Sequence, residues 1–222
     1  VKSKKYKKDL SNTTIDPIQL SKILIKLKKQ NINNVIMEAS SHGLSQNRLD
    51  GLLFNTGIFT NLSQDHLDYH KNTKNYLKAK LYLFEKLIKA KGTIITDDKI
   101  PEFKKIKNIA TNKNLNLFSL LDKKNNFQFL SHQYEHESQL LEIKYKNSIH
   151  KIKLNLIGKV QFKNVLMAVI ASIKSGINIE NILNIMPKIK SVEGRFERVG
   201  KIKNNSKVIL DYAHTPDALK TC

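Results

Sequence analysis

Cysteine occurs once in this chain of 222 residues, as Cys222, so no internal disulfide framework can form. No apolar run is long enough to span a bilayer and the N-terminus has no signal-peptide pattern, which makes a cytoplasmic protein the simplest expectation. Internal repeats are absent, and no low-complexity tract stands out from a general bias toward lysine, isoleucine and asparagine. Acids are few, 19 against 39 lysines and arginines, for a formal charge of +20. Such a charge ordinarily suggests a nucleic acid or an anionic membrane. Arginine, however, is limited to Arg48, Arg195 and Arg198, and arginine is the residue that grips phosphates and bases bidentately. A nucleic-acid partner is therefore not expected, and the basic cluster Lys4-Lys5-Tyr6-Lys7-Lys8 reads as a solvated loop.

The length suits one large α/β core with a small remainder. Asp16-Pro17-Ile18-Gln19 predicts a helix start, with Asp16 as N-cap and Pro17 at the first helical position, followed by an apolar face of Leu20, Ile23, Leu24 and Leu27. Strands are expected over Val35–Glu38, Gly57–Thr60 and Thr93–Thr96, with a helix from about Thr73 between the last two. This alternation argues for a parallel sheet with flanking helices. From Gln139 to Leu156 the pattern changes to a hairpin around Lys146-Asn147. A helix from about Val160 to Lys174 should end at Gly176, and a shorter one from Glu180 should stop before Pro187. A second hairpin is expected around Asn204-Asn205, with a domain boundary near Ser191.

Chemistry-bearing residues concentrate between Glu38 and Lys80, in the loops that follow two expected strands. Ligands of open parallel sheets collect there, outside the carboxyl ends of the strands. Lys80 is the sharpest residue, because Tyr76, Phe84 and Leu87 place it on an inward helical stripe. Burial disfavours an ammonium, and a neutral amine can capture carbon dioxide as a carbamate that helps bind a hard cation. A lysine snorkelling its head into water is the alternative. His132-Gln133-Tyr134-Glu135-His136 has the spacing of an inverted zinc-peptidase motif, but its neighbours Phe127, Phe129 and Leu130 are strand-like and no third ligand is evident.

These residues also resemble a known family. Asn12-Thr13-Thr14, the run Glu38-Ala39-Ser40-Ser41-His42-Gly43-Leu44 with Gln46 and Arg48, the run from Thr60 to His70, Lys80, Gly194-Arg195-Phe196-Glu197 and the run from Asp211 to Leu219 are similar, in order, to motifs of the Mur ligases, in the branch that adds a diamino acid. The resemblance implies a Mur ligase central ATP-binding domain over residues 1–191, a mostly parallel P-loop-type sheet, and the start of a Rossmann-like C-terminal domain over 192–222. It implies ATP and Mg2+ as cofactors, UDP-MurNAc-L-Ala-D-Glu and a diamino acid as partners, a monomer, and an acyl-phosphate route to an amide bond. By position, Glu38, His66 and a carbamylated Lys80 would bind metal, and Asn12, Thr13, Thr14, Ser40, Gln46 and Arg48 would hold the UDP-linked dipeptide. Asn164 would face the adenine, Arg195 the phosphates and Asp211 the ribose, although Gln161 stands where the family has asparagine. His42, Asp65, Asp68, His70 and His214 are expected to pack or support rather than react. meso-Diaminopimelate is favoured over L-lysine on general frequency.

The family's Gly-rich phosphate loop ending in Gly-Lys-Thr or Gly-Lys-Ser does not occur ahead of Asn12, which leads to the expectation of an internal fragment without ligase activity of its own. Another Mur ligase, a folylpolyglutamate synthetase relative, or a non-catalytic basic remnant are the alternatives.

Overall fold

A computed structural model describes residues 13–122, 126–135 and 138–221. Asn12, the Lys4–Lys8 cluster, His136 of the zinc-like motif and Cys222 lie outside the described residues. The chain divides into two compact units, the first running up to Asn55 and resuming from His66 to Lys89, the second taking Thr56–Asp65 and everything from Ala90 onward.

The first unit is helical. Helix α1 (Pro17–Lys29) begins as expected, with the Asp16 carboxylate accepting from the amides of Ile18 and Gln19. It ends in a left-handed Asn31, where the amides of Asn31 and Ile32 close onto the carbonyls of Lys28 and Leu27. Its buried face, Leu20, Ile23 and Leu27, packs with Ile15, Leu44, Leu49 and Leu87. The expected strand at Val35–Glu38 is absent: residues 32–40 belong to no strand, and Ile36 is 99% exposed. Alternating or apolar sequence licenses a strand only where another backbone pairs with it, and no ladder partner meets this segment among the described residues. Helix α2 (Ser41–Ser45) follows directly, then α3 (Leu67–His70) and α4 (Thr73–Tyr82). Asn72 caps α4 by accepting from the Asn75 amide. A π-helical turn, Leu83–Leu87, extends α4, and the expected stripe survives it, since Tyr76, Phe84 and Leu87 are all buried.

The second unit carries the sheets, except the first two residues of β1 and of β2, which fall in the first unit. Strands β1 (Phe54–Phe59), β2 (Ile88–Thr96) and β3 (Asn116–Ser119) stand in that order, with β2 and β3 parallel from Thr93 opposite Asn116 to Thr96 opposite Ser119. Helix α5 (Phe103–Asn112) makes the crossover. Strands β4 (Phe127–Tyr134), β5 (Gln139–Tyr145) and β6 (Ser148–Leu154) form an antiparallel meander whose second turn is the expected Lys146-Asn147. Helix α6 (Lys159–Lys174) covers the core through Phe162, Leu166 and Met167, packed with Ile95, Leu141, Ile143 and Leu154. It stops at Gly176, whose φ of +84° allows the amides of Gly176 and Ile177 to reach back to Ile173 and Ser172. Helix α7 (Ile179–Ile185) is capped by Asn178 and passes into a 3-10 turn at Pro187. Strands β7 (Glu197–Lys201) and β8 (Lys207–Leu210) pair antiparallel as the second expected hairpin, and α8 (Pro216–Thr221) follows. Among the described residues no helix is long and apolar enough to cross a membrane.

Leu166 is fully buried at the centre of this core. Leu166→Ala is expected to cost about 3 kcal/mol of stability through the cavity it leaves. The measurement is the urea midpoint at unchanged slope; a loss under about 1 kcal/mol would contradict the packing described.

Candidate functional site

Thr14 organises the first unit's loops. It is 1% exposed, and its hydroxyl donates to the Glu38 carbonyl at 3.0 Å while accepting from the Ser40 amide and the Ser40 hydroxyl, each at 2.9 Å. One donor and two lone pairs are thereby all engaged. Ser40 Oγ in turn accepts from the Gly43 amide at 3.1 Å and caps α2. Glycine is required at 43, since a Cβ there would lie 2.5 Å from both Cβ and Cγ2 of Thr14. Thr14 therefore sets the exit of Glu38 and the position of Ser40, while Thr13, Glu38, Gln46 and His66 are exposed and Ser40, Arg48 and Lys80 half-buried.

A second chain of bonds starts from the same residue. Arg48 Nη1 donates to the Thr14 carbonyl at 2.7 Å, and Arg48 Nε donates to Gln46 Oε1 at 2.8 Å. Gln46 Nε2 then donates to the Tyr69 hydroxyl at 3.0 Å, which also lies 3.1 Å from Ser45 Oγ. Hydrogen bonding to Ser45 and Gln46 holds the Tyr69 phenol below its ordinary pKa.

Tyr69 belongs to α3, a single turn bracketed by two residues of positive φ, His66 at +54° and Lys71 at +69°. Such backbone is costly for residues other than glycine and persists only where surroundings enforce it. Here His70 is 6% exposed with Nε2 2.9 Å from Ser41 Oγ, and Asn75 Nδ2 donates to the His70 carbonyl at 3.1 Å. Rings close around it: His42 lies 4.2 Å from Tyr69 and 5.0 Å from His66, while Tyr76 stacks on His70 at 5.1 Å. Tyr76 also meets the His66 ring edge-on at 5.9 Å and carries Lys80 Nζ 5.2 Å from its centroid. His66 and Lys80, both expected at the metal, thus share one tyrosine wall. Sequence reasoning placed Tyr76 on the inward stripe with Lys80 but gave Tyr69 no part in this; the only signal for Tyr69 was its place inside the dense motif.

In the second unit, Asn164 projects from the exposed side of α6. Beside it, Lys163 pairs with the buried carboxylate of Asp97, and Gln161 Nε2 donates to the Arg195 carbonyl at 2.9 Å. Arg195 is exposed, with its guanidinium carbon 5.6 Å from the Tyr212 ring centre. Asp211 accepts from the Phe196 amide at 2.8 Å and the Ala213 amide at 2.7 Å, so its carboxylate fixes the loop that displays Arg195. Gly194, at φ +68°, lies under Tyr212, where a Cβ would come within 2.2 Å of the ring. His132 sits in β4, with Nε2 2.7 Å from Gln139 Oε1 and its ring stacked on Phe162. His132 thus stands on a strand and not on the helix that the zinc-peptidase motif needs. Among the described residues no group of three or more His, Cys, Asp or Glu side chains is placed to hold a metal.

The Mur ligase middle domain is the family whose model matches residues 2–172. The UDP-N-acetylmuramoyl-L-alanyl-D-glutamate--2,6-diaminopimelate ligase of Fusobacterium nucleatum is 39% identical over 209 residues, covering 94% of this chain and 42% of that protein. The protein of the same name from Rickettsia montanensis is 35% identical over 208 residues, covering 94% and 42%. A solved structure of a ligase of that name superposes with a TM-score of 0.75 at 27% identity, covering 93% of this chain and 43% of the other. MurF from Thermotoga maritima in complex with ADP shares the fold, with a TM-score of 0.62 at 17% identity over 76% of this chain and 38% of that one. The chain thus spans about 42% of the length of the curated relatives it matches.

Gly43→Ala is expected to cost about 2 kcal/mol by forcing Thr14 out of its three bonds. An unfolding curve unchanged from the parent would contradict the close approach. A pH effect follows from His70, whose imidazole burial pushes below its ordinary pKa, with His42 and His66 acting in the same direction and Asp68 opposing. The unfolded chain then takes up the proton first, so the stability His70 contributes is complete above about pH 6.5 and is lost as pH falls from there through the folded value. His70→Gln should flatten that part of the stability profile, measured by urea unfolding between neutral and mildly acidic pH; parallel profiles would count against the burial argument.

Proposed function

Because this chain belongs to the Mur ligase family, we propose that the protein, at its full natural length, joins a diamino acid to UDP-MurNAc-L-Ala-D-Glu at the expense of ATP, and that the diamino acid is meso-diaminopimelate rather than L-lysine. The observation that carries this reading is the linked set in the first unit: Thr14 ties Glu38, Ser40 and Arg48 together, Gln46 joins Arg48 to Tyr69, and the ring cluster leads on to His66, Tyr76 and Lys80. The names of the relatives support the choice of diamino acid.

The reaction has two displacements. A carboxylate oxygen of the dipeptide's D-Glu attacks the γ-phosphorus of ATP, forming an acyl phosphate and releasing ADP. The amine of the diamino acid then attacks the acyl carbon, the C–O bond to phosphate breaks, and the nitrogen loses a proton. Charge placement dominates such a sequence. Arg48 presents a guanidinium suited to a carboxylate or phosphate, with Ser40, Gln46, Thr13 and Asn12 as neutral hydrogen-bonding groups and Thr14 as the residue that sets Ser40. Lys80, as a neutral amine, would add carbon dioxide with loss of one proton to give a carbamate. Glu38 and His66 would bind Mg2+, and the Lys80 carbamate would support a second metal; Glu38 and the carbamate offer the oxygen donors Mg2+ prefers, and His66 offers a nitrogen. When bound, the ion would offset repulsion between carboxylate and phosphate.

In the second unit, Asn164 would meet the adenine, Arg195 the phosphates and Asp211 the ribose, the last through the loop its carboxylate already anchors. Residues 1–191 would form the central domain and 192–222 the start of the C-terminal one, in a cytoplasmic, monomeric enzyme with neither a nucleic-acid partner nor membrane insertion.

The test is phosphate release by the full-length protein, which should require ATP, Mg2+, UDP-MurNAc-L-Ala-D-Glu and meso-diaminopimelate together. Lys80→Arg should lower kcat by about a hundredfold or more, and 13C-bicarbonate should label a carbamate in the parent that this variant lacks. Phosphate release independent of any diamino acid would overturn the proposal.

A further inference from the structure

Tyr69 is exposed enough to look dispensable, at 39%, yet its hydroxyl stands where two chains of bonds meet. On one side are Ser45 and Gln46, which belong to α2 and its C-cap, and on the other is α3, the strained turn that opens at His66. Gln46 is an exposed side chain with several rotatable bonds, and ordering it costs entropy that some partner must offset. Arg48 decides the orientation of the Gln46 amide, and the Tyr69 hydroxyl anchors the Nε2 end. With Nε2 given to Tyr69, Oε1 faces Arg48 Nε at 2.8 Å; the flipped amide would set an NH2 against a guanidinium. Arg48 is in turn fixed by Nε on Gln46 and Nη1 on the Thr14 carbonyl, and its Nη2 edge carries no bond among the described residues. A fork held on two sides in this manner is already oriented for an anionic group.

We propose that Tyr69 is a positioning residue for the UDP-linked dipeptide: its hydroxyl anchors the Gln46 amide, which sets the Arg48 guanidinium. This rests on the ligase reading and on Gln46 and Arg48 as contacts of that substrate. The phenol acts through them and touches no reacting atom, so its removal alters substrate capture more than the chemical steps.

Tyr69→Phe isolates the hydroxyl, because the ring that packs 4.2 Å from His42 and 4.8 Å from His70 is kept. In the full-length protein this variant should raise KM for UDP-MurNAc-L-Ala-D-Glu about fivefold, leave KM for ATP unchanged and keep kcat within about twofold. Gln46→Ala should raise the same KM, and adding Tyr69→Phe to it should have no further effect, since the two residues act in series. An unchanged KM in Tyr69→Phe, a fall in kcat alone with a lower melting temperature, or multiplying effects in the double variant would each overturn the inference while leaving the ligase reading intact. A parent protein with no saturable dependence on UDP-MurNAc-L-Ala-D-Glu would remove the ligase reading, and this inference with it.

Discussion

The Thr14 hydroxyl is the interaction on which the first unit's site depends. Residues 32–40 run without a ladder, so nothing in regular secondary structure fixes where Glu38 and Ser40 emerge. A side chain more than twenty positions upstream in sequence does so instead, bonding the Glu38 carbonyl and both the amide and hydroxyl of Ser40. Leaving the buried Thr14 hydroxyl unpaired would cost about 1–3 kcal/mol. The threonine methyl matters as well as the oxygen, because Cγ2 occupies the space a Cβ at position 43 would need. Thr14 and the Ser-Ser-His-Gly run, separate in sequence, are therefore two halves of one fitted contact.

The second unit solves the same problem with carboxylates. Asp211 gathers the amides of Phe196 and Ala213, and Glu197 accepts from the Gly194 amide at 2.8 Å. Phe196 and Gly194 both hold positive φ, so these bonds stabilise a backbone that would otherwise relax. In both units, motif residues that a sequence reading assigns to ligands are already bonded to main chain. A signature can thus extend well beyond the groups that touch a ligand, because displaying one exposed arginine or glutamate in a loop takes several buried bonds behind it.

Sequence made legible those elements whose signals are local. Asp16 with Pro17, Gly176 after α6, and the turns at Lys146-Asn147 and Asn204-Asn205 each carry their own cause within a few residues. Val35–Glu38 failed because a β-branched apolar run states only that a strand would be tolerated; pairing is decided elsewhere in the chain. For α5 the signal was also in the sequence, since Phe103, Ile106 and Ala110 recur at helical spacing among lysines, with Ile106 and Ala110 buried. For α8 the signal was present, since Thr215 caps it and Pro216 opens it. Tyr69 was invisible in principle: its partners Ser45 and Gln46 lie 24 and 23 positions away, and only the fold brings them together.

Lys80 shows why burial alone was too coarse a question. It is neither sealed in the core nor free in solvent but half-buried, with Nζ beside the face of Tyr76. An aromatic face favours an ammonium by about 0.5–1 kcal/mol and disfavours an anion in the same place. On the ligase reading, carbamylation turns a cation into an anion against that ring, so the neighbourhood opposes the carbamate until another positive charge is present. On that reading a divalent ion would supply that charge, near the ring that His66 also meets edge-on. Carbamate formation and metal binding should then be linked, each raising the affinity for the other, as two ligands must when one site is unstable without its partner.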